Sequence, residues 1–199
     1  IVELAGKHGL LIVADEPYQL LYYYDTPPPA YGTMLDSDNI ISLGSFSKIL
    51  APGMRLGWIQ ASELLLQRIL RIGLIHSGGS INHISSHIAR CAMTNGSLDT
   101  HLDALRGAYR GRVEAMHGAL TEHFSDIAEW TKPQGGYFTW LRLLDDSIDT
   151  RPLKDKALAA EAGFSAGSLF SGTSELRNYL RLSVAHYSED DIREGIARL

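Results

Sequence analysis

Between positions 44 and 58 the chain reads G-S-F-S-K-I-L-A-P-G-M-R-L-G-W. Two hydroxyls (Ser45, Ser47), one amine (Lys48) and one guanidinium (Arg55) fall within this glycine-bearing turn between two apolar segments. Hydroxyl and guanidinium donors suit a phosphate, because a guanidinium offers paired planar N–H groups that an ammonium does not. An amine suits an aldehyde, with which it condenses to a Schiff base. Each residue also has an ordinary reading. A lone lysine is a solvated cation with a reference pKa of about 10.4, and turn serines bond their own backbone. Their concentration in one turn favours the chemical reading.

Upstream, L-L-I-V-A-D-E-P-Y at 10–18 puts Asp15 at the end of an apolar run and Tyr18 three residues on. Asp15 can cap a helix opened by Pro17, or hold a proton on a ring nitrogen. Tyr18 can be a core tyrosine crowded by Tyr22, Tyr23 and Tyr24, or donate to a ring oxygen. One ligand that uses a phosphate anchor, an aldehyde, a pyridine nitrogen and a ring hydroxyl is pyridoxal phosphate. A further charge, Arg181, lies within Y-L-R-L-S-V at 179–184. Flanked by apolar residues in a strand pattern, it needs a partner, because burying it unpaired is costly. That partner is either an internal carboxylate or the carboxylate of a ligand.

The elements that position these groups follow from periodicity. Residues 10–14 read as a strand covered on both faces, and 39–43 and 55–60 as two more strands. The three prolines at 27–29 require a loop. Ser62 caps a helix over 62–75 with Leu65, Ile69 and Ile72 on one face. A break at Gly78-Gly79 leads to a helix through Ile81, Ile84, Ile88 and Met93 that stops at Asn95-Gly96. A long helix over 98–124 carries the stripe Leu102, Leu105, Tyr109, Val113, Met116 and Leu120. Strands at 127–131, 137–143 and 179–184 and a helix at 153–162 follow. Ser188 and Asp191 form a capping box for the last helix. Alternating strands and helices at the front suggest a parallel α/β sheet, and the back half suggests a smaller α+β domain. The expected division is 1–97 and 98–199.

D-E-P-Y, S-F-S-K, A-P-G-M-R-L-G-W, P-Q-G-G-Y-F-T-W at 133–140 and N-Y-L-R-L-S at 178–183 occur in the order found in class I/II, fold type I, aminotransferases. The chain resembles this family as a set of motifs spanning nearly its whole length, and is most similar to the aminoadipate, kynurenine and aromatic group. The resemblance implies a pyridoxal-phosphate-dependent enzyme moving an amino group between an α-amino acid and a 2-oxo acid. Lys48 would then form the Schiff base and shuttle the α-proton. Asp15 would pair the pyridine nitrogen, Tyr18 would bond the ring hydroxyl, and Ser45, Ser47 and Arg55 would hold the phosphate. Arg181 would hold the substrate α-carboxylate. It implies a C-terminal half: part of the large parallel-sheet domain followed by a small α+β domain, incomplete as an enzyme and homodimeric at full length. One departure is Ala166, where relatives carry proline.

Composition narrows the alternatives. With 199 residues, 45% apolar content and a formal charge of −5, the chain shows no basic face for nucleic acid and no membrane-length apolar run. The lone Cys91 gives no disulfide framework and suits a reducing, cytoplasmic setting, with a small core residue as its ordinary reading. Other uses of the same architecture stay open, namely the effector-binding half of a transcription regulator, and a lyase or synthase on the same cofactor. Ser45-x-x-Lys48 also fits a serine/lysine acyl-transfer pair, but Ser37-Asp38-Asn39 precedes it, no Lys-Thr-Gly follows, and Pro52-Gly53 interrupts any helix presenting it. His83 and His87 lie four apart without the intervening carboxylate of a zincin. No metal site is expected.

Overall fold

The computed structural model describes residues 1–78, 82–173 and 175–199. It divides into two compact units, Ile1–Leu105 and Arg106–Leu199. Gly79 and Ile81, part of the expected helix break and helix start, lie outside the described residues.

In the first unit, helix α1 (Val2–Lys7) is followed by His8 and Gly9, whose φ of 63° turns the chain toward β1 (Ile12–Asp15). Strand β2 (Ile40–Ser45) runs parallel to β1, with Ile12 opposite Ile40 and Asp15 opposite Leu43. Strand β3 (Gly57–Ala61) closes the order β1-β2-β3 antiparallel to β2, with Ser45 opposite Gly57. The sheet is therefore mixed, not wholly parallel. The turn between β2 and β3 is too short for the crossover of a dozen or more residues that a parallel neighbour needs. Ile40 and Leu21 are fully buried, whereas Leu11 and Val13 are more than half exposed. The apolar run at 10–14 is thus not covered on both faces within this chain.

Ser62 caps helix α2 (Glu63–Leu70), its Oγ accepting the Leu65 N–H at 3.4 Å. The single helix expected to 75 is two, because α2 stops at Leu70 and α3 (Gly73–Gly78) follows. Gly73 sits at the joint, where a glycine costs about 1 kcal/mol of helix stability relative to alanine. Ile72 falls in that joint and is 55% exposed, while Leu65 is buried. Helix α4 (His83–Thr94) is capped by Asn82 and followed by Gly96 at φ 78°. Cys91 lies on its exposed side and is not a core residue. The described buried position of this helix is Ala89.

Helix α5 (Ser97–Phe124) carries the expected stripe. Val113, Met116 and Leu120 are buried in the second unit. There the sheet order is β4-β5-β7-β6, antiparallel throughout, from β4 (Ala128–Trp130), β5 (Phe138–Leu143), β6 (Ser165–Ala166) and β7 (Tyr179–Ser183). Period-two alternation puts Thr139, Leu141 and Leu143 of β5, and Leu180 and Leu182 of β7, into the core. Helix α6 (Leu153–Ala159) and helix α7 (Glu189–Arg198) complete the unit. The expected capping box opens α7: Ser188 Oγ accepts the Asp191 N–H at 3.2 Å, and the Asp191 carboxylate accepts the Ser188 N–H at 3.1 Å. No helix among the described residues is long and apolar enough to cross a membrane.

Candidate functional site

The parallel pair β1–β2 ends, in register, at Asp15 and Leu43. The chain leaves both strands on the same side. Ligands of open α/β sheets bind outside such carboxyl ends. After β1 comes a turn at residues 17–20 that carries Tyr18, half-buried, with Leu21 N–H donating to the Tyr18 carbonyl at 2.9 Å. No helix starts at Pro17, so Asp15 has no helix there to cap. Its carboxylate is exposed and, among the described residues, has no hydrogen bond or ion pair.

Glu16 has the opposite circumstances. Its carboxylate accepts the Tyr31 N–H at 2.9 Å, the Gly32 N–H at 3.4 Å and the Ser42 hydroxyl at 2.7 Å. It ties the 3-10 turn Tyr31–Thr33 to the middle of β2. Sequence reasoning passed over Glu16; the signal available was the paired acid in D-E, of which a strand end exposes one and turns the other inward.

After β2 the chain winds one turn around the Phe46 carbonyl, which accepts N–H groups from Ile49, Leu50 and Ala51 at 3.3, 2.9 and 3.1 Å. Phe46 and Ile49 are buried and anchor this turn, with Ser47 and the half-buried Lys48 between them. The Phe46 and Trp58 ring centroids are 4.8 Å apart. Trp58 crosses Gly44, where any Cβ would collide with the indole. Ser45 Oγ accepts the Ser47 N–H at 3.2 Å. Arg55 Nη1 donates to Ser47 Oγ at 3.4 Å and to the Pro52 carbonyl at 3.2 Å. The turn therefore brings Ser45, Ser47 and Arg55 together, on the same turn that carries Lys48. Arg55 has left-handed backbone (φ 49°, ψ 46°) at the end of the 3-10 helix Pro52–Met54. Its Met54 and Arg55 carbonyls both accept hydrogen bonds from Asn82 Nδ2, at 2.7 and 3.2 Å. Asn82 is a second residue that pattern reading missed.

Arg181 belongs to the second unit. It sits on β7 opposite Trp140 and Ser165. Its guanidinium carbon is 4.0 Å from the Phe138 ring centroid and 4.4 Å from that of Phe170. It is half-buried and, among the described residues, no carboxylate pairs with it. Such a cation between two π faces is held in place while its N–H edge keeps donors to give. His83 and His87 are exposed, with their Nε2 atoms 3.2 Å apart, and Arg90 Nη2 is 3.3 Å from His87 Nδ1.

Comparison with known proteins agrees along the whole length. The family model described as Aminotransferase class I and II matches residues 1–199. The chain belongs to the class I and II aminotransferases. Among curated relatives of this family, it is 37% identical over 199 residues to an aromatic-amino-acid aminotransferase of Thermococcus litoralis, covering all of this chain and 47% of that protein. It is also 33% identical, over all of its length and 40% of the relative's, to an uncharacterised HTH-type transcriptional regulator, YdfD, of Bacillus subtilis. Among solved structures, a kynurenine aminotransferase of Pyrococcus horikoshii, in complex with PMP, matches 99% of the chain and 48% of its own length at TM-score 0.90 and 32% identity. The chain thus spans about half the length of the aminotransferases it matches, and its α/β architecture is theirs, fold type I.

Proposed function

We propose that this chain is the Lys48-bearing half of a pyridoxal-phosphate-dependent aminotransferase that moves an amino group between an α-amino acid and a 2-oxo acid. The observation that carries the reading is one turn that joins two hydroxyls and a guanidinium and carries Lys48, together with Asp15, whose carboxylate has no partner among the described residues, at the carboxyl end of the adjacent parallel strand. That donor set fits the cofactor: three phosphate donors (Ser45, Ser47, Arg55), one nucleophilic amine (Lys48), and one acceptor-only carboxylate (Asp15). The cofactor, when bound, supplies an electron sink for a carbanion at the substrate α-carbon.

The chain's own residues do the rest. With the cofactor bound, Lys48 would hold it, and the Lys48 Nζ would be the group that takes the α-proton and returns it. Asp15 would pair the protonated pyridine nitrogen, and Tyr18 would donate to the ring oxygen. Arg181 receives the α-carboxylate shared by amino acid and oxo acid. The lack of any carboxylate partner for it among the described residues supports that role over an internal ion pair. In this reading residues 1–97 belong to the cofactor-binding domain and 98–199 to the linking helix and small domain, in a cytoplasmic homodimer.

The experiment is product stoichiometry. The protein from the full reading frame, given cofactor and a panel of amino acids and oxo acids, should form one new amino acid for each oxo acid consumed. A second reading, favoured by the identity to YdfD across the whole chain, is a sensory half that binds the same ligands for transcriptional control. It requires binding without turnover. Ammonia, carbon dioxide or a joined product in place of the exchanged pair would instead indicate a lyase or synthase.

A further inference from the structure

Asn82 connects two things the proposed function treats separately, the start of α4 and the backbone of Arg55. Its Oδ1 accepts the Ser85 N–H at 3.3 Å and so caps α4. Its Nδ2 gives both of its protons across 28 and 27 residues of chain, to the Met54 carbonyl at 2.7 Å and the Arg55 carbonyl at 3.2 Å. Those two carbonyls belong to the peptide planes on either side of the Arg55 Cα. Rotation of the first plane is φ of Arg55 and rotation of the second is ψ. One amide group that holds both therefore fixes both torsions.

The torsions held are costly ones. Arg55 is a non-glycine residue at φ 49°, ψ 46°. Left-handed backbone crowds an L-residue's Cβ against the following carbonyl oxygen, so it persists where surrounding contacts over-determine it. The amide cannot serve in the flipped orientation, which would set Oδ1 against two carbonyl oxygens and the NH2 group against the helix N–H. From that backbone the Arg55 side chain reaches back to Pro52 and Ser47.

We infer that Asn82 is a positioning residue for the phosphate site: it holds Arg55 in the left-handed conformation that points its guanidinium at Ser47, and α4 is the rigid support from which it does so. This deepens the proposed function and rests on its reading of Arg55 as a phosphate ligand.

The two jobs of Asn82 can be separated by substitution. Asn82→Asp and Asn82→Ser keep an N-cap acceptor and remove the pair of amide N–H donors, serine leaving one shorter hydroxyl that cannot hold both carbonyls. Tm read alongside checks that α4 stays formed. The readout is the ratio of dissociation constants for pyridoxal and pyridoxal 5′-phosphate, measured on the protein from the full reading frame by absorbance or fluorescence titration. A role through the phosphate lowers affinity for the phosphorylated ligand alone. Both variants should lose about tenfold or more in pyridoxal 5′-phosphate affinity, equivalent to about 1.4 kcal/mol, with pyridoxal affinity unchanged. Equal losses for both ligands, or no loss, overturn the inference. Arg55→Gln, run in parallel, locates the failure. If it collapses the ratio while the Asn82 variants leave it intact, only the clamp is wrong. If Arg55→Gln leaves the ratio intact, the phosphate reading falls and takes this inference with it.

Discussion

Asp15 and Glu16 are adjacent acids at one strand end with different partners. Glu16 is occupied by two N–H groups and a hydroxyl, whereas Asp15 has no partner among the described residues. Only Asp15 is available to a ring nitrogen. Asp15→Asn should leave Tm close to that of the parent, since no bond is lost, and should cut kcat strongly. Each pKa unit by which the carboxylate favours a protonated ring is about 1.36 kcal/mol, so a loss of tenfold or more is expected. Near-normal turnover would show that Asp15 does not hold that proton. Arg181 allows a similar separation of roles. Arg181→Ala should raise KM for amino acid and oxo acid alike, by an amount reflecting about 1.5–3 kcal/mol per lost charge-assisted bond. An unchanged KM with a large fall in Tm would mean that the guanidinium serves only its stack on Phe138 and Phe170.

At the scale of elements, the caps decide where helices begin. Ser188 and Asp191 exchange hydrogen bonds at the start of α7, and the Asp191 carboxyl is held below its ordinary range, first by the Ser188 hydroxyl and then by the Ser188 N–H. A carboxyl lowered in the folded state stabilises it at pH above the unfolded value and loses that contribution as pH falls through the folded value. Ser188→Ala removes this cap and should lower Tm near neutral pH. Thermal melts should show the gap to the parent narrowing as Asp191 is protonated, and a gap that widens in acid would contradict this account. Ser62, Ser188 and the stripe of α5 were legible in the sequence because caps and amphipathic periodicity are local. The two-residue strand β6 and the tasks of Glu16 and Asn82 were not. Each depends on a partner distant in sequence: Leu180 for Ala166, Ser42 for Glu16, and Met54 for Asn82. The turn at 44–58 was legible because its donors are adjacent in sequence, although the αL backbone of Arg55 was not.

At the scale of the whole molecule, the sheet of the first unit leaves apolar side chains uncovered. Leu10, Leu11 and Val13 around β1 and Ile59 on β3 are all more than two-fifths exposed. Exposed apolar strand surface invites pairing with other chains. The 199-residue chain expressed alone should self-associate, as read by light scattering, and should bind pyridoxal phosphate weakly. A monodisperse monomer with stoichiometric cofactor would contradict that. The central claim rests on one amine in one turn, and it is tested most directly by trapping. Borohydride reduction of the cofactor-loaded protein from the full reading frame, followed by proteolysis and peptide mapping, should place the pyridoxyl group on Lys48. A pyridoxyl group on any other lysine, with Lys48 unmodified, would contradict the assignment.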